Sequence, residues 1–493
     1  MTRKLYVKYY ISLLYILIPK LLLSQMPVVT WSNYSAIDAS KNNPSLLSSS
    51  FCYAEFGSDL NINLYNDFYF LNSKDYTDLL RYRTTSDYFI KGKNYPVGFV
   101  LNTMPKNMHE SSEATAFSAM FCPNGTLALG MFINACACSN ATNVPYELPE
   151  IAMITLDNTN EYFKNFSSRN CNINAMVWNE IGISVASTIY DRFFSKIDCG
   201  ISAKLLLGIS SASTNIKNLD YDLLSKDSVF LNTLEMVSAV SLPTDLDTPF
   251  NDYTNIISNR LKYNGLGFAF DFGFSYTEKM KIDNTRRRRK ACAIPITPYF
   301  FKIGVSLLDF GAIRFKSNSI TNVFSYNGGM LLDFDSFNDV SSYKSLVETL
   351  SMLLYEDDRQ SFRSDNYFLG LPSALSVQFD ARLNDNIYVN ASWIQPVRFF
   401  THSVMRSPQI VLAPRYESRF IDCALPISLL DYHRILVGLS ARFSFVSIGT
   451  HNLLNLIGLG DSYGLDLYVS LRYHLLKGRC NVQHDACWAS DFR

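Results

Sequence analysis

The sequence predicts an all-β fold: an antiparallel transmembrane β-barrel of about 14 strands, in a range of roughly 12 to 16, with an even number expected for this architecture. Three observations lead there. Segments of barrel-spanning length alternate strictly between apolar and polar side chains. The charged residues in those segments keep to one phase. Past residue 25, no apolar run reaches the length a membrane helix needs.

Gly265 to Glu278 sets the class. Its even positions are Leu266, Phe268, Phe270, Phe272, Phe274 and Tyr276; the odd positions between them are Gly, Ala, Asp, Ser or Thr. Successive side chains on a strand point to opposite faces, so one face is wholly apolar and the other small or polar. The run exceeds the roughly 9–11 residues a tilted strand needs to cross a bilayer. Strands of a soluble sandwich are typically about 5–6 residues.

In chain order, the first 25 residues read as an export signal. Arg3, Lys4 and Lys8 precede an apolar stretch from Tyr9 to Ile18, and Ser24 and Gln25 offer a cleavage zone. A short membrane anchor is the alternative. The barrel is expected over 26–477, its N-terminal segment around Asn43-Pro44 plugging the lumen, with a periplasmic tail over 478–493. Leu60, Ile62, Leu64 and Phe68 alternate with Asp59, Asn61, Asn63 and Asp67. Leu127 to Asn134, Ile181 to Ile189 and Ile201 to Ser210 continue the pattern more noisily. Residues 212–260 and 310–335 give no clean reading. Tyr343, Leu346, Val347, Leu350, Leu353 and Leu354 follow helical spacing, so a short amphipathic loop helix is expected there, capped by Asp339 or Ser341. Leu375 to Leu383 and Ile387 to Trp393 flank Asn384-Asp385-Asn386, a hairpin with a tight polar turn. Ile435 to Phe445 and Leu465 to Tyr473 supply two further faces. In the expected path, Phe399–Pro408 is external, Pro426–His433 turns inside, and 450–462 lies outside.

Lys204, Asp271, Asp380, Arg382, Arg442, Asp466 and Arg472 fall on the polar phase. A charge at mid-bilayer on the lipid face costs roughly 2–4 kcal/mol, so these are the expected lumen-lining residues. Tyr388, Tyr416, Tyr468 and Tyr473 are assigned to interface girdles or lumen packing.

Composition narrows the function. Acidic and basic residues balance at 44 each, which gives no electrostatic case for a nucleic-acid partner. Mean hydropathy is only +0.02, which alternating strands explain. The ten cysteines are scattered without a metal-binding spacing, and the sequence asks for no cofactor. Cys480 and Cys487 are the best candidates for a disulfide; the others read as small packing residues. Arg286 to Lys290 is a basic run suited to acidic lipid heads or, more simply, a solvated loop. The six histidines form no HExxH pair, and neither a G-x-S-x-G elbow nor a Walker loop is present. A non-enzymatic protein is therefore expected.

Several stretches together carry a resemblance: Asn43-Pro44-Ser45, Asn179-Glu180-Ile181-Gly182, Lys204-Leu205-Leu206-Leu207-Gly208, Gly304 to Gly311, Leu371-Pro372-Ser373-Ala374, Ala413-Pro414-Arg415-Tyr416-Glu417 and Ile448-Gly449-Thr450. The chain resembles a family of uncharacterised outer-membrane barrels from Bacteroidota, distantly similar to PorV and FadL-like barrels and to the PorP/SprF proteins of secretion. The usual opening of that family is Asn-Pro-Ala, and Ser45 here replaces the alanine. The resemblance implies an outer-membrane protein embedded in lipid, without known catalytic residues. Three functions follow as alternatives: transport of small or hydrophobic solutes, an anchor binding envelope protein partners, and an enzyme built at the barrel rim.

Overall fold

The computed structural model describes residues 32–71, 97–100, 102, 104–146, 165–225, 228–249, 262–280, 298–418, 420–457 and 459–476. The signal segment, the Arg286–Lys290 run, and the C-terminal tail with Cys480 and Cys487 lie outside these residues.

Two short helices come first, α1 (Ala36–Asn42) and α2 (Leu46–Ser49). Then follow β1 (Cys52–Asn66), a small hairpin of β2 (Tyr69–Leu71) and β3 (Val97–Phe99), β4 (Lys106–Phe121), β5 (Leu127–Val144) and β6 (Asn165–Asp191). The middle of the chain forms β7 (Ser195–Leu223), β8 (Ser228–Ser241), β9 (Gly265–Lys279), β10 (Tyr299–Phe315) and β11 (Ser319–Asp333). After helix α3 (Tyr343–Tyr355) come β12 (Phe362–Ser364), β13 (Tyr367–Gly370), β14 (Ala374–Arg382), β15 (Ile387–Pro396) and β16 (Gln409–Glu417). The last strands are β17 (Ile421–Ala424), β18 (Ile427–Leu430), β19 (Arg434–Val437), β20 (Leu439–Phe443), β21 (Val446–Thr450) and β22 (Gly464–Leu476), with a helical turn α4 (Leu453–Leu456) before β22.

Pairing resolves these pieces into 14 antiparallel staves. β22 pairs with β1 from Cys52↔Leu476 to Tyr65↔Gly464, which closes the ring and leaves no free edge. Five staves are interrupted. β9 and β8 both lie along the 29-residue β7, one beside its first half and one beside its second. β10 continues into β11, β12 and β13 into β14, and the β17–β18 pair faces β19–β20. One end of the barrel carries mostly short turns, such as 192–194, 383–386 and 444–445; the other carries the long connections.

The outer face is apolar. Leu266, Phe268, Phe270, Phe272 and Phe274 are 39–60% exposed, whereas Asp271 between them is 2% exposed. The same phase holds on β1, β5, β14, β15 and β22. Beyond the long-loop end of the ring, β6 and β7 run on with β8, β11 and α3 into an upper sheet with its own core of Phe166, Tyr221, Leu234, Phe324, Val347 and Leu354. The upper parts of β7 and β8 are buried or half-buried on nearly every side, which erases the alternation over 212–241, whereas β11 keeps an exposed side at Val323 and Leu331. Ile209, expected outside, is 8% exposed because β7 has entered this sheet there.

Three expectations need correction. The cap of α3 is Ser342, whose hydroxyl accepts from Ser345 N in a capping box, and not Asp339 or Ser341. Pro426–His433 is not an inner turn: the chain turns at the short end at 418–420, runs outward through β17 and β18, and turns at the long-loop end at 431–433. Ile435–Phe445 is not one strand running outward, because Ser444 takes φ +55° in a tight turn and β21 starts at Val446.

Candidate functional site: the barrel interior

Two chain segments occupy the interior, and neither has a strand signature. Residues 32–50 enter from the short-turn end. Residues 397–408 fold in from the long-loop end.

In the N-terminal segment, Pro44 cannot continue α1, and Asn43 before it is extended (φ −162°, ψ 109°). The resulting corner Asn43-Pro44-Ser45 rests on Gly200 of β7, Gly273 of β9 and Gly304 of β10. A methyl on Gly273 would lie 2.1 Å from Asn43 Oδ1, and one on Gly200 would lie 2.4 Å from the Pro44 carbonyl carbon. Asn43 Nδ2 donates to Phe274 O (3.1 Å) and to Gln378 Oε1 (2.9 Å). Gln378 Nε2 and Ser306 Oγ donate to Asn42 O at 2.9 and 2.5 Å.

Charge fixes the rest of the segment. Asp38 pairs with Arg472, which also holds Asp59 and Glu55. Lys41 pairs with Asp59 (2.9 Å) and with Glu113. The backbone N–H groups of Ala36 and Ile37 donate to the Glu55 carboxylate. Nearer the short-turn end, Ser32 donates to Asp422 (2.6 Å), and Asn33 donates to Glu417 (2.9 Å) and Tyr299 (2.8 Å). Burial with Glu417 and Asp422 nearby pushes the Tyr34 phenol up to about 12.

The expected lumen residues separate into clusters. Lys204 and Asp271 meet at 2.8 Å, and Lys204 also reaches Asp309 at 2.6 Å. Asp380 is gripped by both terminal nitrogens of Arg415 (2.8 and 3.0 Å), and Arg442 pairs with Asp422 (2.6 Å). Arg472 serves the N-terminal segment. Asp466 accepts from His451 N (2.8 Å) and Asn63 Nδ2 (3.3 Å). Arg382 instead ends its strand, bonding Asn384 O and Asp385 in the short turn. Tyr388 and Tyr468 are buried inside, at 4% and 2% exposed, while Tyr416 and Tyr473 face outward.

The 397–408 loop crosses to several staves. Gly370 N donates to His402 O and Val404 N to Gly370 O, at 2.9 and 3.1 Å. Met405 N donates to Asn140 Oδ1 on β5 (2.9 Å). Arg406 reaches Pro372 O (2.7 Å) and pairs with Asp309, a bulged residue at φ +53° whose N–H donates to Asp271 (2.7 Å). Burial, with Arg398 adding to it, lowers the pKa of His402. Its Nδ1 lies 3.2 Å from Ser213 Oγ, and that hydroxyl gives its own proton to Asn174 Oδ1 (2.7 Å), so the ring donates to it.

Between the two segments lies a cavity of about 90 Å³, room for about three waters at roughly 30 Å³ each. Lys41, Glu113, Asn134, Trp178, Glu180, Lys204 and Arg406 are among its walls. Its acids and thiols form no metal-binding group among the described residues. Cys136 and Cys138 carry free thiols packed against this wall.

The rim bears on the enzyme alternative. Ser407, Asp431 and His109 do come together, but Ser407 Oγ donates to Asp431 (2.6 Å), and His109 Nε2 is 3.5 Å from the same carboxylate. The imidazole is therefore not placed to take the serine proton.

Sequence reasoning missed Asp38, Lys41, Glu113, Glu180, Asp309, Gln378, Arg406 and Arg415. Glu180, Asp309 and Arg415 sit inside the stretches that carry the family resemblance, and Glu113 and Gln378 sit on a polar strand phase. Asp38, Lys41 and Arg406 are in segments with no strand pattern and left no such signal.

A closed antiparallel sheet with an apolar aromatic exterior and a polar, ion-paired interior defines an outer-membrane type of β-barrel. The chain belongs to a family of unknown function, DUF5723, whose model matches residues 56–450. No curated protein matches the chain. Among solved structures it is similar to the toluene transporter TodX of P. putida, with 8% identity over 90% of this chain and 95% of that one and a TM-score of 0.38. The toluene transporter TbuX of Ralstonia pickettii has 9% identity, coverages of 89% and 93%, and a TM-score of 0.28. The translocator domain of the autotransporter NalP from Neisseria meningitidis has 5% identity, coverages of 91% and 100%, and a TM-score of 0.31.

Proposed function

We propose that this protein is an exported outer-membrane barrel of a Gram-negative cell that passes small solutes, polar or hydrophobic, through its lumen. Residues 32–50 act as a plug on the periplasmic side and the 397–408 loop as an outer gate. Outer-membrane barrels keep short turns in the periplasm and longer loops outside, and the two ends of this barrel differ in that way.

The observation that carries the reading is the chemistry of the plug seat. α1 is held by Asp38–Arg472, Lys41–Asp59 and Lys41–Glu113 pairs, and the corner by amide hydrogen bonds. Groups of this kind are solvated when separated, so a plug held by them leaves at lower cost than one held by apolar surface alone. The buried contacts of Ile37 and Leu47 keep it seated at rest.

A second reading is favoured by the filling of the lumen at two levels: a barrel that stays shut serves as an anchor for envelope protein partners. Planar-bilayer recording of the signal-free protein separates the two. Transport predicts rare openings of the wild type and frequent ones after Asp38→Asn with Lys41→Met. Silence from both, in protein shown to be folded and inserted, sinks the transport reading and leaves the anchor.

A further inference from the structure

The cavity between plug and loop is uneven in charge. Five carboxylates and three cations line it. Asp38 is matched by Arg472 below the cavity, Asp271 and Asp309 by Lys204 and Arg406, and Glu113 shares Lys41 with Asp59. Glu180 is different. It is 5% exposed; among the described residues it makes no ion pair, and Lys204, whose ammonium is paired with Asp271 and Asp309, acts on it only from longer range. Its carboxylate takes only neutral donors, Asn134 Nδ2 at 2.8 Å and Trp178 Nε1 at 3.4 Å.

Two further groups point the same way. Asn134 is 3% exposed; its amide nitrogen is committed to Glu180 and Glu113, which fixes its orientation, and its Oδ1 has no hydrogen-bond partner. Toward the rim, Glu110 (5% exposed) borders a smaller cavity of about 20 Å³ and bonds only Ser139, leaving Oε1 without a partner. Both orphaned atoms are acceptors. A buried acceptor without a donor costs roughly 1–3 kcal/mol, and a buried carboxylate without a counter-charge costs more. Glu110 belongs to the smaller cavity; in the larger one, an occupant that satisfies Asn134 Oδ1 and compensates Glu180 must donate hydrogen bonds and carry positive charge. Phe132 and Trp178 on the same wall add apolar surface and an indole face suited to a cation.

We propose that this cavity binds a small protonated amine, its ammonium group directed at Glu180 and Asn134 and its alkyl part against Trp178 and Phe132. The proposal rests on the transport reading in that it names the class of solute, but binding is measurable without transport.

The test is equilibrium dialysis of the refolded, signal-free protein at pH 7.5 against radiolabelled n-propylamine, n-propanol and propionate. Near-stoichiometric, saturable uptake of the amine is expected, at least tenfold tighter than either competitor. Glu180→Gln should weaken it at least tenfold, with Trp178 fluorescence reporting the same titration. Where Glu180→Gln does not refold, Asn134→Leu is the second variant, with the same tenfold loss expected. No amine uptake, equal uptake of amine and alcohol, or uptake unchanged by a folded variant overturns the proposal, and would mean that Glu180 holds a proton or that the cavity holds only water. Silent bilayers with intact amine binding would instead remove transport and keep the site.

Discussion

Gly273→Ala is the smallest change that should unseat the plug. The added methyl would lie 2.1 Å from Asn43 Oδ1 and 2.8 Å from Pro44 Cδ. Gly200 faces Gly273 across the β7–β9 pair, and its own methyl position is taken by Pro44 backbone, so the corner has little room to slide sideways. Overpacking of this kind costs about 1–3 kcal/mol. Displacing Asn43 Oδ1 also loosens its bonds from Ser45 N (3.1 Å) and Ser45 Oγ (2.7 Å), at about 0.5–1.5 kcal/mol each. The sum, roughly 2–6 kcal/mol, multiplies the population of the unseated plug by about 30 or more at tenfold per 1.4 kcal/mol. Hydrogen exchange read by mass spectrometry on peptides covering 36–49 measures that population directly. The matched control is Gly130→Ala, whose methyl meets the same plug at an ordinary 3.5 Å from Leu47 Cδ1. Exchange in Gly273→Ala as slow as in the control, with the barrel folded in both, would refute the argument that three wall glycines form the seat.

Two other outcomes follow from the same structure. Phe272→Arg places a charge on the outer face of β9, where Phe272 is 43% exposed; it should destabilise the barrel in lipid vesicles by roughly 2–4 kcal/mol in denaturant titrations, and no loss would mean this face does not meet lipid. For His402, burial lowers the pKa below the ordinary value of about 6.5, so the docked loop binds the proton less well than the released loop. Its contribution is fully present above about pH 6.5 and is lost as pH falls below that. Exchange in 398–406 should therefore quicken between pH 7 and 5 after correction for intrinsic rates, and His402→Gln should flatten the difference.

The legible part of this molecule is the part that faces two different solvents. Phe268 and Asp271 can be assigned to opposite sides because a membrane strand has a single apolar face, and that contrast survives in the sequence as a period of two. Where the contrast disappears, so does legibility. Ile209 and the β7 and β8 residues beyond it are largely covered on both faces, and the turn at Ser444 and Phe445 sits inside an unbroken alternation, so a hairpin there passes for a longer strand. The interior clusters were half legible. Lys204, Asp271 and Arg472 stood out as charges on the polar phase, but Asp309, which pairs with Lys204, Asp38, which pairs with Arg472, and Arg406, which pairs with Asp309, sit in a bulge, a short helix and a loop, where no period exists to mark them.

The stretches that carry the family resemblance now have a physical content that periodicity could not supply. Arg415 and Glu417 build the lower collar that receives Asn33. Gly304 and Ser306 seat Asn42 and the Asn43-Pro44 corner, and Asp309 in the same stretch turns its strand at positive φ so that one carboxylate meets both Lys204 and Arg406. Glu180 takes neutral donors only and shares Lys204 at longer range with Asp271 and Asp309. These residues do not contribute to the apolar exterior that makes the barrel; they line the route from the short-turn end to the cavity. An interior filled for stability alone would be served as well by matched apolar packing, since replacing a buried ion pair with apolar side chains of similar volume is often neutral or stabilising. Here the polar interior is concentrated where two separable segments meet the wall. That placement suits a barrel whose interior surfaces part and become wet more than one whose lumen is only filled.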